Sequence, residues 1–456
     1  MIRKCIGNPG FRASLLAGGF WFCAATAAWA GGPGGETTAR APAATYGRQA
    51  FAQPAANLDR ASHRAFAEGS RLFHNDWVEA DPTGRQPAGL GPHFAARACA
   101  GCHVHDGRGA PGAAGLAVRL ALPPGTPQDV VAAYGEQLTP LALAGVAPRG
   151  QLRIRWQAVP GRFADGQRYT LRRPVLEPHA PGYGPLPNGT GLSARVAPQL
   201  VGLGLLDAVA EEDILANERA QAAQPGPVRG RAGKVFEPFD GREVVGRFGW
   251  KASTGSLHHQ IASALFHDMG VTSPQFPGQP VQRGQGGQGV QPVVPQPELS
   301  RDTFLLMLDY QFGLGVPARR RTETAQVRRG EVLFTQAQCA TCHRPAYTTG
   351  KGWFPALSRQ AIRPYTDLLL HDMGAGLADS HPSGQAGGAE WRTPPLWGVG
   401  LIPQVNGHQL LLHDGRARGV LEAILWHGGE ADPSRRQVLR MSPGERRALV
   451  AFVNSL

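Results

Sequence analysis

Lysine is almost missing from this 456-residue chain: of its 46 basic residues only Lys4, Lys234, Lys251 and Lys351 are lysines. The formal charge of +12 is therefore arginine charge, and apart from Arg319-Arg320-Arg321 it forms no run of the kind that grips a nucleic-acid backbone. Nucleic acid is thus excluded as a partner, although a basic surface could still steer an acidic protein. Long apolar runs are missing as well. Beyond residue 30 none reaches the roughly 18 residues needed to cross a bilayer, so no membrane span is expected. Cysteine is scarce: there are six. Cys5 and Cys23 fall in an N-terminal stretch that begins with Arg3 and Lys4, continues through an apolar run from Leu15 to Ala28 and ends at Ala28-Trp29-Ala30, the pattern of a cleavable signal peptide over 1–30. The bulky Phe20-Trp21-Phe22 before Cys23 argues against a lipoprotein signal.

The four remaining cysteines all lie in two copies of C-x-x-C-H, Cys99 to His103 and Cys339 to His343. No disulfide can form without dismantling one of them. In each motif two cysteines one helical turn apart can form thioethers with the two vinyl groups of a haem, and the adjoining histidine then lies under the iron. C-x-x-C also occurs in zinc knuckles, but here the pairs are far apart and each has its own immediate histidine. Two covalently bound haems c are therefore expected, attached at Cys99, Cys102, Cys339 and Cys342, with His103 and His343 on the metal. Such attachment takes place outside the cytoplasmic membrane, which points to a bacterial periplasm.

Without the leader the chain still exceeds the usual 50 to 250 residues of one domain. Residues 31–55, rich in Gly, Ala, Pro and Thr, read as a disordered lead-in. Helical periodicity starts at Leu58 and runs to Trp77, and its kernel Gly69-Ser-Arg-Leu-Phe73 is repeated as Gly330-Glu-Val-Leu-Phe334 just before the second motif. Helices are also expected over 208–218, 257–266, 299–312 and 442–456, with short strands at 151–156 and 168–171. The Gln, Gly and Pro tract over 274–297 reads as a long loop. Two further echoes appear: Leu200 to Leu205 with Leu396 to Leu401, each preceded by an Arg and a Pro (Arg195, Pro198; Arg392, Pro395), and His-Asp-Met-Gly at 267–270 and 371–374. The fold expected is mainly α: two cytochrome c-like haem domains with long loops and a few short strands in the N-terminal half, the first with insertions over 56–300 and the second over 301–456.

Several strings resemble one known family: Gly89-Leu-Gly-Pro92, Arg247 to Ala252, Tyr365 to Gly374, Glu390 to Trp397, Leu412 to Ala417, and Ile424 to Ala431. Together they span nearly the whole mature chain and resemble the bacterial di-haem oxidoreductases, relatives of the dihaem cytochrome c peroxidases. The resemblance implies a division of labour, with an oxidant such as hydrogen peroxide reduced at the His103 haem and electrons entering at the His343 haem from a small periplasmic cytochrome c or cupredoxin. It also implies an acid/base group over the first iron, for which Asp268, just before Met269, and Gln260 upstream are the matching residues; His258 and His259 are alternatives. In the relatives a Met within Tyr-Met-His-Asp-Gly binds the second iron. Here the string reads Leu411-Leu-His-Asp-Gly415, so Met373 becomes the first choice of ligand and His371 the second, with Met307 left to packing and Met441 to the surface at a helix start. Trp77, Trp250, Trp391 and Trp397 are available as electron relays, and a Ca2+ between the domains is compatible with the sequence. A different class of function fits the same motifs: a non-enzymatic dihaem electron carrier or redox sensor. An oxygenase acting on an organic substrate is a third reading.

Overall fold

In a computed structural model the described residues are 32–83, 85–112, 115–277, 298–381 and 383–456. The expected leader over 1–30 and most of the expected 274–297 loop lie outside them. Helices form where the apolar spacing and a capping side chain coincide. Asp59 accepts from Ser62 N at the start of helix Arg60–His74, Ser256 caps Leu257–Met269, Ser300 caps Arg301–Phe312, Thr324 caps Ala325–Gln336, and Ser442 and Glu445 close a reciprocal capping box on Pro443–Val453.

The repeated kernel has a structural meaning. Gly69 and Gly330 each let one helix press against another. A Cβ on Gly69 would lie 1.9 Å from Leu306 O in helix Arg301–Phe312, and one on Gly330 would lie 2.0 Å from Ala448 O in helix Pro443–Val453. Two crossed helix pairs result, one per motif. This corrects the boundary drawn at 300/301: Arg301–Phe312, assigned by sequence to the second domain, packs on the helix that precedes the first motif. Its Tyr310 ring packs at a tilt against Phe66 and Phe73, with centroids 4.8 and 5.1 Å away. The described residues form one compact unit.

Strands are more numerous than expected. Among the described residues fifteen short strands join in seven small sheets, and β pairs occur in both halves, for instance Leu370–Asp372 with Glu390–Arg392. Thirteen α-helices accompany them, so the chain is an α and β mixture rather than mainly α. The longest pair is an antiparallel hairpin, Gln151–Arg162 against Arg168–His179, whose tip is pinned by Arg446 lying 3.8 Å over the Phe163 ring. The stretch taken as a disordered lead-in is ordered from residue 32. Phe51 is fully buried, and Ala39 N and Gly315 N bond across to Val316 O and Gln53 O. Small residues lowered its apparent hydrophobicity, yet they allow the close backbone approach that holds it.

One echo is structural and the other is not. Gly202 and Gly398 both adopt left-handed backbone, with φ of 69° and 75°, at the start of a short helical turn. The two His-Asp-Met-Gly strings differ: the first ends helix Leu257–Met269, and the second runs through strand Leu370–Asp372 into a turn. No helix among the described residues is long and apolar enough to cross a membrane.

Candidate active site

Both C-x-x-C-H motifs open onto one cavity of about 610 Å3. Each presents a short helical turn, Cys99–Cys102 or Cys339–Thr341, followed by its histidine. The two histidines are held alike. His103 Nδ1 donates to Pro198 O at 2.8 Å, and His343 Nδ1 donates to Tyr365 O at 3.0 Å. That bond fixes the tautomer and ring orientation and leaves Nε2 free to ligate. Burial lowers the pKa of both, His343 to about 4, so each ring is neutral and able to ligate at neutral pH. The aromatic residue of each kernel braces its histidine: Phe73 to His103 and Phe334 to His343 both measure 6.3 Å between ring centroids.

The cysteines are unpaired, and burial pushes the thiols of Cys99, Cys102 and Cys339 up to about 12 and raises that of Cys342. Among the described residues the one group of three metal-capable side chains with ligand atoms within 4.8 Å of one another is Cys342, Asp367 and His371. Neither motif closes a zinc knuckle, and that group is not the all-oxygen set a Ca2+ would take.

A family model described as "Di-haem oxidoreductase, putative peroxidase" matches residues 28–121 and 186–456. The chain belongs to this family. As a di-haem oxidoreductase it uses haem cofactors, and the gap in the match, 122–185, contains the Gln151–His179 hairpin. None of the curated proteins compared matches the chain. Among solved structures, the crystal structure of a MauG-like protein associated with microbial copper homeostasis is 17% identical over 55% of this chain and 90% of that one, with a TM-score of 0.28, too low to carry an argument.

The cavity of this di-haem oxidoreductase suits anionic, largely apolar cofactors. Arg108 and Arg392 line it while 5% and 9% exposed, and both are satisfied only by backbone carbonyls, those of Leu410 and Leu412 for Arg108 and of Gly249 and Thr393 for Arg392. Burial lowers each to about 10. A guanidinium buried without a carboxylate against it is costly, and haem propionates are the counter-charges that would offset it. Arg195, the other arginine of the Arg-x-x-Pro echo, also lines the cavity and sits 3.6 Å from Asp379.

Helix Leu257–Met269 turns Leu257, Gln260, Ile261, Ala264 and Asp268 toward the cavity, the i, i+3, i+4, i+7 and i+11 spacing of one helix face. Gln260 Oε1 accepts from Thr254 Oγ1 at 3.0 Å. Asp268 Oδ1 accepts from Gln137 Nε2 at 2.8 Å. His258 and His259 lie off this face: His258 packs among Phe239, Phe312 and Trp353, and His259 stands 3.6 Å from Glu237.

Around the second motif, Met373 lines the cavity and packs on its apolar wall. His371, the second-choice ligand, is otherwise engaged. Its Nε2 meets Asp367 Oδ2 and its Nδ1 meets Glu430 Oε2, both at 2.8 Å, and although burial opposes its charge the two carboxylates raise its pKa well above normal. A doubly held imidazolium has no lone pair to offer a metal. Met307 is core at 1% exposure, and Met441, expected near the surface, is buried too. His93 is buried, with Nε2 2.8 Å from Tyr183 Oη. Of the four tryptophans, Trp250 and Trp391 line the cavity; Trp77 and Trp397 are buried elsewhere. Trp391 lies flat on His413, 3.7 Å between centroids, with Lys251 Nζ 4.0 Å from its ring. Sequence reasoning passed over Gln137 and Arg108, which lie in no motif, and over Lys251 within the Arg247 to Ala252 string; Arg195 and Arg392 were signalled by their shared Arg-x-x-Pro.

Proposed function

We propose that the protein is an exported, periplasmic dihaem c-type oxidoreductase of peroxidase type, with one haem joined to Cys99 and Cys102 over His103 and the other to Cys339 and Cys342 over His343. The observation that carries this reading is the single cavity walled by both motifs, each histidine tethered through Nδ1 with Nε2 left over. Haem iron supplies the redox chemistry: an open site activates O–O bonds and a six-coordinate one exchanges electrons with little rearrangement. The His343 side receives electrons from a small cytochrome c or cupredoxin, and the His103 side meets hydrogen peroxide or a similar small oxidant.

On that side the chain's own groups do the proton work. Asp268 transfers a proton between the two oxygens of the oxidant, Gln137 holds the Asp268 carboxylate in place, and Gln260 offers its amide to the oxidant. Trp391, between the Lys251 cation and His413, is the aromatic bridge on the cavity wall. The apolar lining keeps bulk water from competing for the proton.

The test is turnover of hydrogen peroxide by the purified holoprotein with an artificial donor, together with cyanide binding to the reduced or mixed-valence form. One ligand-binding iron and measurable turnover are expected. No ligand binding at either iron in any redox state would leave the electron-carrier reading in its place.

A further inference from the structure

Five histidines line the cavity: His103, His343, His371, His413 and His427. Two are the motif histidines. His371 has both nitrogens taken by carboxylates, and His413 lies flat on Trp391 with Nε2 3.5 Å from Asp414 Oδ2. His427 remains. It follows helix Val420–Leu425, and its Nδ1 donates to Ala423 O at 2.7 Å, the same tether that His103 and His343 make to Pro198 and Tyr365. Its Nε2 has no partner among the described residues, while part of the ring surface stays open to the cavity. A half-buried imidazole on the cavity wall, with one nitrogen fixed to a carbonyl and the other unpartnered, is the arrangement of a metal ligand.

We propose that His427 is the second axial ligand of the haem held by His343, in place of Met373. The assignment to this iron follows from position. His427 lines the same cavity as His343, and its neighbours Val420, Ala423 and Ile424 share the cavity wall with Phe334 and Leu449 of the second helix pair. The ordinary competitor is absent, because Leu412 stands where a ligating methionine would be in the His-Asp-Gly string and offers only carbon. Met373, by contrast, comes one residue after a strand whose Asp372 backbone is bonded to Glu430, in a turn held by Met373 N to Ala389 O, and its side chain packs on the apolar wall. Two imidazoles lower the potential of a haem relative to the histidine–methionine pair.

This inference rests on the dihaem reading, and the experiment separates the two. Near-infrared and EPR spectra of the holoprotein are recorded for wild type, His427→Gly, His427→Met and Met373→Leu, with haem counted in each by pyridine haemochrome. Two haems in every protein, a wild-type low-spin iron without a thioether-to-iron band, and an unchanged Met373→Leu spectrum are expected. His427→Gly should turn that iron high-spin and raise carbon monoxide uptake of the reduced protein by one equivalent, both reversed by added imidazole. His427→Met should gain the thioether band. A thioether band in the wild type that Met373→Leu removes, or an unchanged spin count in His427→Gly at two haems, overturns the inference and leaves the dihaem reading intact. Fewer than two haems in the wild type overturns that reading instead.

Discussion

Replacing Gly330 by alanine pits two effects of opposite sign against each other. Gly330 lies inside helix Ala325–Gln336, where alanine is intrinsically better than glycine by about 0.5–1 kcal/mol. Its added Cβ, however, would sit 2.0 Å from Ala448 O and 2.6 Å from Phe452 Cβ. Ordinary contact is about 3.5 Å, so the two helices must separate by more than about 1 Å. Both near atoms belong to the partner helix itself, Ala448 O to its backbone and Phe452 Cβ to the root of a side chain, so rotamer changes cannot relieve the clash. Overpacking of this kind costs about 1–3 kcal/mol or more, which leaves a net destabilisation of about 1–2 kcal/mol after the propensity gain. The separation also loosens Phe334, which rests 5.2 Å from Phe452 and 6.3 Å from His343. Guanidinium unfolding of the holoprotein followed by circular dichroism should give a lower midpoint for Gly330→Ala, and Gly69→Ala should behave the same way against Leu306. Val332→Ala, at a position 47% exposed on the same helix, should change stability by no more than about 0.5 kcal/mol. A Gly330→Ala protein as stable as wild type, or more so, would refute the proposed role of the repeated glycine.

Asp268→Asn keeps shape and removes the proton function, so peroxide turnover should drop about 10²-fold with both haems retained; normal turnover eliminates Asp268 as the acid/base group. Gln137→Leu removes the amide that holds that carboxylate, and turnover should fall about tenfold, the worth of one hydrogen bond to a charged group, with a shifted acid limb in the pH profile that a purely structural loss would not produce. For stability, burial, aided by Arg149, lowers His93 to about 4 from an ordinary 6.5. On acidification the unfolded chain takes up this proton first, so stability should be lost as pH falls from about 6.5 to 4, by up to about 3 kcal/mol; His93→Phe should flatten that part of the profile, and an unaltered slope would contradict it.

The parts of the fold that can be read from the sequence are those whose cause is local. Capping side chains and apolar spacing mark the helices at 60–74, 257–269, 301–312, 325–336 and 443–453 close to their observed bounds. The motifs at 99–103 and 339–343 declare their chemistry through adjacent residues. What escaped depends on contacts distant in sequence. Nothing near Arg301–Phe312 reveals that Gly69 waits for Leu306, so the helix was given to the wrong half. His-Asp-Met-Gly looks like a repeat, yet Met269 N-terminal to a left-handed Gly270 ends a helix while Met373 follows a strand. His427 falls within the Ile424 to Ala431 string, but the sequence gives it no role until Ala423 O and the cavity wall are in view.

The central claim, two haems joined to one chain at the two motifs, is tested most directly by the mass of the unfolded polypeptide. Covalent attachment survives denaturation, so the intact mass should exceed that of the mature chain by two haems. Cys99→Ala with Cys102→Ala should remove one of them, and Cys339→Ala with Cys342→Ala the other. A wild-type mass carrying one haem or none, or a cysteine-pair variant that still carries two, would contradict the account.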